Sequence, residues 1–394
     1  MKITSVDIMM LEAEAPENRG RNTPVFCRIH TDEGIFGDGE AGVMMMTGAR
    51  AACAMLEELS PSLIGQDPID GEVLLEKLCR GTYFGPNGGP IFGAAVAALD
   101  TALWDIKGKS FGVPVYKLLG GKYRDELHCY ASQINFGWGR LQQDAVTPEE
   151  FAACAREAAG QGYDAVKADF FVHDAEGRSL TEKERTGIIA EKYLGLIESR
   201  VAAVREALGS ECTILMECHG YTDSSAFLQI AERTKKYGIA YAEEPAATAF
   251  PVLKKLGEKS GIPVSMGERL HSVREFLPFI TNQTVSFVQP DIGNCRGITE
   301  ARKIAQLCAL YDVGIQFHCA NSHLNVAATL QLEAAIPNFT LHEHCCVHER
   351  DYVRKLTKFD YQPVDGVLTV PEIPGIGNEL SEYTLKRAEK KVVR

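Results

Sequence analysis

The order of apolar and polar positions divides the chain into regions of different texture. Residues 1–42 hold short β-rich runs, and VFCRIHTDEGIFGDGE sets two of them around the turn residues Asp32, Glu33 and Gly34, which predicts a β-meander. Apolar residues at helical spacing follow over 47–60 and 90–109, with the glycine- and proline-rich loop GTYFGPNGGP between them. From about residue 127, short apolar runs alternate with longer amphipathic stretches. The runs are LHCYAS, YDAVKADF, CTILMECH, GIAYAEE, IPVSMGE, SFVQPD, VGIQFHC and FTLHEHC, and segments such as SRVAAVREAL and ITEARKIAQLCALY lie between them at helical periodicity. Alternation of this kind predicts parallel β/α units, and eight runs suit a closed (β/α)8 barrel of the TIM type. The alternative is an open doubly wound sheet, but no GxGxxG follows the first strand. The tail VDGVLTVPEIPGIGNEL is turn-rich and β-like, leaves the β/α rhythm, and is expected to pack against the N-terminal segment.

Composition narrows the function classes. With 394 residues, 45% hydrophobic and 24% charged, the chain suits a large domain plus a smaller one. A net charge of −12 argues against nucleic acid as a partner, which calls for a basic surface. MKITSVDIMMLEAEA is interrupted by Asp7 and Glu12, so no export leader is expected. There is no apolar run of about 18 residues, so no membrane partner is expected. The twelve cysteines show no CxxC pairs and are expected to be mostly buried thiols in a reducing cytoplasm.

The chemistry gathers at the ends of the runs. They close on Lys167 and Asp169, Glu217 and His219, Glu243, Glu268, Asp291, His318 and Glu343. From Glu217 onward the step between successive ends is about 25 residues, close to one β/α unit. In a barrel these C-terminal ends converge on one mouth. A single glutamate at a strand end is commonly a solvated loop residue. Three from neighbouring strands repel one another unless a cation sits between them, so Glu217, Glu243 and Glu268 predict a metal site. Oxygen-only ligands favour a hard ion such as Mg²⁺. Asp291 and His318 on adjacent strands predict a carboxylate that holds an imidazole in one tautomer as a base. In ILMECHG, Glu217 and His219 lie two residues apart and are expected to share a face.

These residues resemble the enolase superfamily, and within it the mandelate-racemase subgroup of acid-sugar dehydratases, over nearly the whole chain. TDEGIFGDGE resembles the family's N-terminal hairpin, and AALDTALWDIKGKSFGVPVYKLLGG its long signature helix with the Leu-Leu-Gly-Gly exit. AEEP, MGE and QPDIGNCRGITEARKIA resemble its fourth-, fifth- and sixth-strand motifs, and VDGVLTVPEIPGIG its returning tail. The resemblance implies a modified (β/α)8 barrel at 127–357, an α+β capping domain at 1–126, and a tail at 358–394 that returns to the cap. It implies Mg²⁺-assisted removal of the proton α to a carboxylate, in a superfamily known for Lys or His bases. It matches Glu217, Glu243 and Glu268 to the metal ligands, Glu244 to a supporting acid, Asp291 and His318 to the base dyad, and Glu343 to the acid that bonds the substrate carboxylate.

The chain departs from the family at two places. Racemases of the subgroup carry Lys-x-Lys on the second strand, whereas this chain has Lys167, Ala168 and Asp169. Loss of the second lysine weakens a two-base racemase reading. The sixth-strand Gly-Gly is replaced by Cys295-Arg296-Gly297. His219 resembles the third-strand histidine of galactonate-type sugar-acid dehydratases, which implies that it protonates a departing hydroxyl. The expected activity is dehydration of a sugar acid, of galactonate or gluconate type, to a 2-keto-3-deoxy acid. Lys167 would hold the substrate carboxylate and Asp169 its hydroxyls, with Arg21, Asn22, Tyr83 and Asn87 in the capping loops as selectors. Dimers and octamers in the family imply a homo-oligomer. Rival expectations are an epimerase or cycloisomerase on the same scaffold and a non-catalytic sugar-acid binder. A third is a zinc protein built on HEHCCVHE, residues 342–349, although His342 and His344 should point away from Glu343.

Overall fold

Alternating burial marks the strands of the first sheet. The computed structural model describes residues 1–12, 23–42, 47–139 and 143–394. β1 (Ile3–Met10), β2 (Val25–Thr31) and β3 (Phe36–Ala41) form an antiparallel meander with β2 in the middle. Helix Pro90–Ser110 covers the sheet and is buried along nearly its whole circumference. It lies close because β3 presents glycine: a Cβ on Gly37 or Gly39 would sit 2.1 or 1.9 Å from the carbonyl oxygens of Ala102 and Ala98. On its other side Trp104 donates to Thr299 Oγ1 (2.8 Å) and Asp100 accepts from Thr299 N–H (2.8 Å), joining the cap to the barrel. Helix Ala49–Leu59 covers the predicted 47–60 segment, while helix Gly71–Gly81 was not anticipated.

Eight parallel strands follow: β4 (Glu126–Ser132), β5 (Ala165–Ala168), β6 (Thr213–Glu217), β7 (Ile239–Glu243), β8 (Val264–Met266), β9 (Phe287–Val288), β10 (Gly314–Ile315) and β11 (His342–Cys345). From β4 to β10 each pairs with the next, and β11 pairs back with β4. Ile315 N–H donates to the Asn338 carbonyl (3.0 Å) and the Ile315 carbonyl accepts from Thr340 N–H (3.1 Å), which closes the ring between β10 and the approach to β11. The fold is therefore the TIM-type barrel that the eight runs predicted, with the α+β cap that the resemblance implied. Residues of one parity, such as Val166, Ile214, Met216 and Ala242, face the surrounding helices. The other parity carries Tyr130, Ala165, Leu215 and Tyr241 low in the barrel, and the ionisable residues one step higher.

The tail serves both bodies. β12 (Val367–Thr369) pairs antiparallel with β4, so the first half of the tail closes on the barrel. Ile376 N–H then reaches Asp105 and Leu380 N–H reaches Asp38, and β13 (Glu389–Val393) becomes the edge strand beside β1. Ten of the twelve cysteines are buried, Cys53 and Cys79 are half-buried, and all are free thiols. Among the described residues no helix is long and apolar enough to cross a membrane.

Candidate active site

Parallel register builds the site. Glu217 lies opposite Glu243 across β6 and β7, and Asp291 forms a parallel bridge with His318. Lys167, two residues before Asp169, is one register step lower, fully buried at 0% exposure. Its Nζ contacts Glu243 Oε2 (2.5 Å), Glu343 Oε1 (2.9 Å) and Glu217 Oε2 (3.0 Å). Burial alone would lower the Lys167 pKa, but the three carboxylates outweigh it and hold it well above the usual lysine value. The side chain thus does not reach solvent along the surface; it is the counter-ion of the acids at the mouth.

The acids respond to that arrangement. Burial, then the neighbouring Glu217 charge, raises Glu243 to about 8. Burial acts the same way on Glu217, but His219, Lys167 and the His219 N–H bring it down to about 2. Glu343 is also drawn to about 2, against its burial, by Lys167, His318 and the Ser132 hydroxyl. Ser132 Oγ donates to Glu343 (2.6 Å), as does Cys319 N–H (2.7 Å). Glu268 Oε1 bonds Arg269, which also holds Glu244, while Glu268 Oε2 is 3.1 Å from His318 Nε2.

Two imidazoles border this group. His318 Nδ1 lies 2.7 Å from Asp291 Oδ2, and Asp291 is itself fixed by Gly293 N–H (2.7 Å) and Asn321 Nδ2 (3.0 Å). Burial would lower the His318 pKa, but Glu268 and the Asp291 bond lift it to about 10. His219 Nδ1 lies 3.3 Å from Asp169 Oδ2, and its Nε2 is 3.2 Å from Gln133 Nε2. Glu217, ahead of the Asp169 bond and Glu268, outweighs burial and lifts His219 to about 9. His219 and Glu217 do share a face, with His219 Nδ1 3.9 Å from Glu217 Oε1 and the His219 N–H donating to the same oxygen (3.0 Å), but not by strand alternation. β6 ends at Glu217, and His219 adopts φ +49°, as Glu244 adopts φ +43° after β7. Left-handed backbone at such residues costs about 1–3 kcal/mol and clusters at functional sites.

The donor set fits a hard cation. Glu217, Glu243 and Glu268 bring only oxygen, and Glu243 Oε1 is buried without a hydrogen-bond partner while Lys167 and Gln289 share Oε2. Among the described residues no three His, Cys, Asp or Glu side chains already stand together as a metal-holding group. Lys167 and Arg269 occupy the carboxylates instead.

Other expectations fall outside the group. Arg21 and Asn22 lie outside the described residues. Tyr83 is 92% exposed in its loop, edge-on to Phe84 (5.2 Å), and is not brought to the strand ends. His342 and His344 point away from Glu343, to Glu333 (2.7 Å) and Tyr163 (2.6 Å), as strand alternation requires. Sequence reasoning missed Ser132, Gln133, Arg269, Gln289 and Asn321. Ser132 ends the first strand run and Gln133 follows it, and neither is titratable, so they lack the signal that marks the other strand ends.

Known proteins bear on this geometry. Residues 11–120 match the mandelate racemase / muconate lactonizing enzyme N-terminal domain, and residues 150–384 match the enolase C-terminal domain-like family. A D-galactonate dehydratase of Pectobacterium atrosepticum is 32% identical over 367 residues, covering 91% of this chain and 89% of that one. A solved member of the enolase superfamily from Salmonella Typhimurium is 40% identical, with a TM-score of 0.94 and 100% of both chains covered. A solved protein of Zymomonas mobilis ZM4 is 38% identical, with a TM-score of 0.95 over 100% of this chain and 99% of that one.

Proposed function

We propose, from the premise that this chain belongs to the mandelate racemase / muconate lactonizing enzyme family of the enolase superfamily, that it is a hydro-lyase acting on a sugar acid. It takes the α-proton, expels the β-hydroxyl as water, and leaves a 2-keto-3-deoxy acid. Relatives named D-galactonate dehydratase favour an aldonate of galactonate or gluconate type. One observation carries the reading: two imidazoles that follow different strands, His318 buried and His219 half-buried, are each bonded at Nδ1 by their own carboxylate and border one set of acids. That is the equipment for removing a proton and supplying another. The absence of a second lysine at Asp169 speaks against two-base racemisation.

Glu217, Glu243 and Glu268 would hold Mg²⁺. When bound, Mg²⁺ supplies positive charge opposite the substrate carboxylate, where negative charge grows as the α-proton leaves. His318 presents Nε2 to the α-carbon, with Asp291 fixing its tautomer and steadying the imidazolium that forms. Glu268 is the foremost charge holding the His318 proton in this structure. His219, steadied by Asp169, donates from Nε2 to the β-oxygen as its bond to carbon breaks, so that water leaves. The enol then takes a solvent proton at C3 and becomes the ketone. Lys167 keeps Glu217, Glu243 and Glu343 from repelling one another. The enzyme is proposed to work in the cytoplasm as a homo-oligomer, with neither nucleic acid nor membrane as partner.

The test is a panel of mono- and diacid sugars with Mg²⁺, assayed for 2-keto-3-deoxy products. One member should give product. Exchange of the α-proton without product across the panel would mark an epimerase, and binding without exchange would mark a non-catalytic binder.

A further inference from the structure

A cavity of about 500 Å³ opens between the capping helix Gly71–Gly81 and the starts of helices Val273–Thr281 and Ile298–Leu310, and none of the candidate catalytic residues lines it. Arg296 forms part of its wall. This residue stands where the family motif has glycine, and it keeps the backbone that glycine would take, with φ +67°. The residue is only 7% exposed, yet Nε and Nη2 have no hydrogen-bond partner. The guanidinium lies over the Phe92 ring at 5.7 Å and against Gly88, where a Cβ would come within 2.6 Å of Nη2.

A buried cation with open donors is costly unless something answers its charge. Of the three acids that line the cavity, Glu76 pairs with Arg80, Glu300 accepts from Val273 N–H (2.9 Å) and faces Lys303 (3.6 Å), and Glu72 is exposed to solvent. Arg274 on the rim makes no ion pair among the described residues, and it adds a second cation. Two helix N-termini open on the same space, and their dipoles favour negative charge there. The strained backbone, the buried open donors and the cavity in front of them agree on the missing partner. We propose that this cavity binds a small anion bearing a carboxylate or phosphate group, with Arg296 as its central donor.

The full chain, titrated with inorganic phosphate and separately with malonate while heat and thermal midpoint are followed, tests this. Wild-type protein should bind at least one of the two and gain in midpoint, and the tighter one identifies the group recognised. Arg296→Gly should lose at least about tenfold in affinity, and Arg296→Lys should fall between the two. In anion-free buffer Arg296→Gly should be at least as stable as wild type, since glycine adopts the left-handed backbone freely. Four results would overturn the proposal. They are no binding to wild type; equal affinity in wild type and Arg296→Gly, as an anion held only at the barrel mouth would give; loss of stability or folding by Arg296→Gly without anion, which would make the guanidinium a packing element; and a changed assembly state with unchanged affinity.

Discussion

His219 leaves its strand through a left-handed turn, whereas His318 stays in register with Asp291, so the two rings reach the carboxylates from different directions along the backbone. Their proposed tasks separate by experiment. His318→Asn should lower α-proton exchange and turnover together by about 10²–10⁴-fold, read by loss of the α-proton signal in D₂O. Wild-type exchange in that variant would remove His318 as the base. His219→Asn should lower dehydration by a similar factor while exchange persists; undiminished product formation would refute the acid role. Lys167 carries a third prediction. Lys167→Met leaves three buried acids without their shared cation, a kind of change that costs about 3–5 kcal/mol. The metal-free variant should melt earlier than wild type and recover more of its midpoint on Mg²⁺ addition. An equal Mg²⁺ response in both proteins would contradict a carboxylate set shared between lysine and metal.

Elements pack here according to which positions lack a side chain and which polar groups are sealed in. β3 meets helix Pro90–Ser110 through Gly37 and Gly39, so Gly39→Ala should cost about 1–3 kcal/mol in chemical denaturation, and a neutral result would mean the seam can open. β11 shows the second effect. Burial, ahead of the neighbouring His342 and His323, pushes His344 down to about 3. Its folded pKa lies below the unfolded value of about 6.5, so its contribution is present above that pH and is lost as pH falls toward 3. His344→Phe should keep the ring packing and lose the Tyr163 bond, about 1 kcal/mol at pH 8, yet show a shallower loss of stability between pH 6.5 and 4. An unchanged slope would exclude this histidine as a source. Both effects bear on what a sequence discloses. The eight strands were legible because each apolar run is short and regularly spaced, and because titratable residues close most of them. The inward parity of Glu343 against His342 and His344 followed from alternation alone. The burial of Lys167 was not legible, since AVKAD reads the same whether the lysine faces solvent or a barrel axis. Gln133, Arg269, Gln289 and Asn321 escaped because their contacts come from different strand ends meeting in space.

At the scale of the molecule, cap and barrel are joined around the same site. Glu40 at the end of β3 bonds Ser322 N–H and Oγ at the cap of helix His323–Ala334, and Gly42 N–H bonds Gly293 beside Asp291. The tail then ties both bodies together, pairing β12 with β4 and β13 with β1. That double return was only half foreseen, because β-like texture tells that a segment is a strand but not which sheet edge it joins. The account as a whole depends on Glu217, Glu243 and Glu268 acting as one divalent-ion site. The most direct measurement is the number and affinity of Mn²⁺ ions bound per chain, followed by electron paramagnetic resonance with Mg²⁺ as competitor. Wild-type protein should hold one competable ion per chain, and Glu243→Gln should weaken it at least about tenfold; wild-type affinity in that variant, or no bound ion in the parent, would contradict the account.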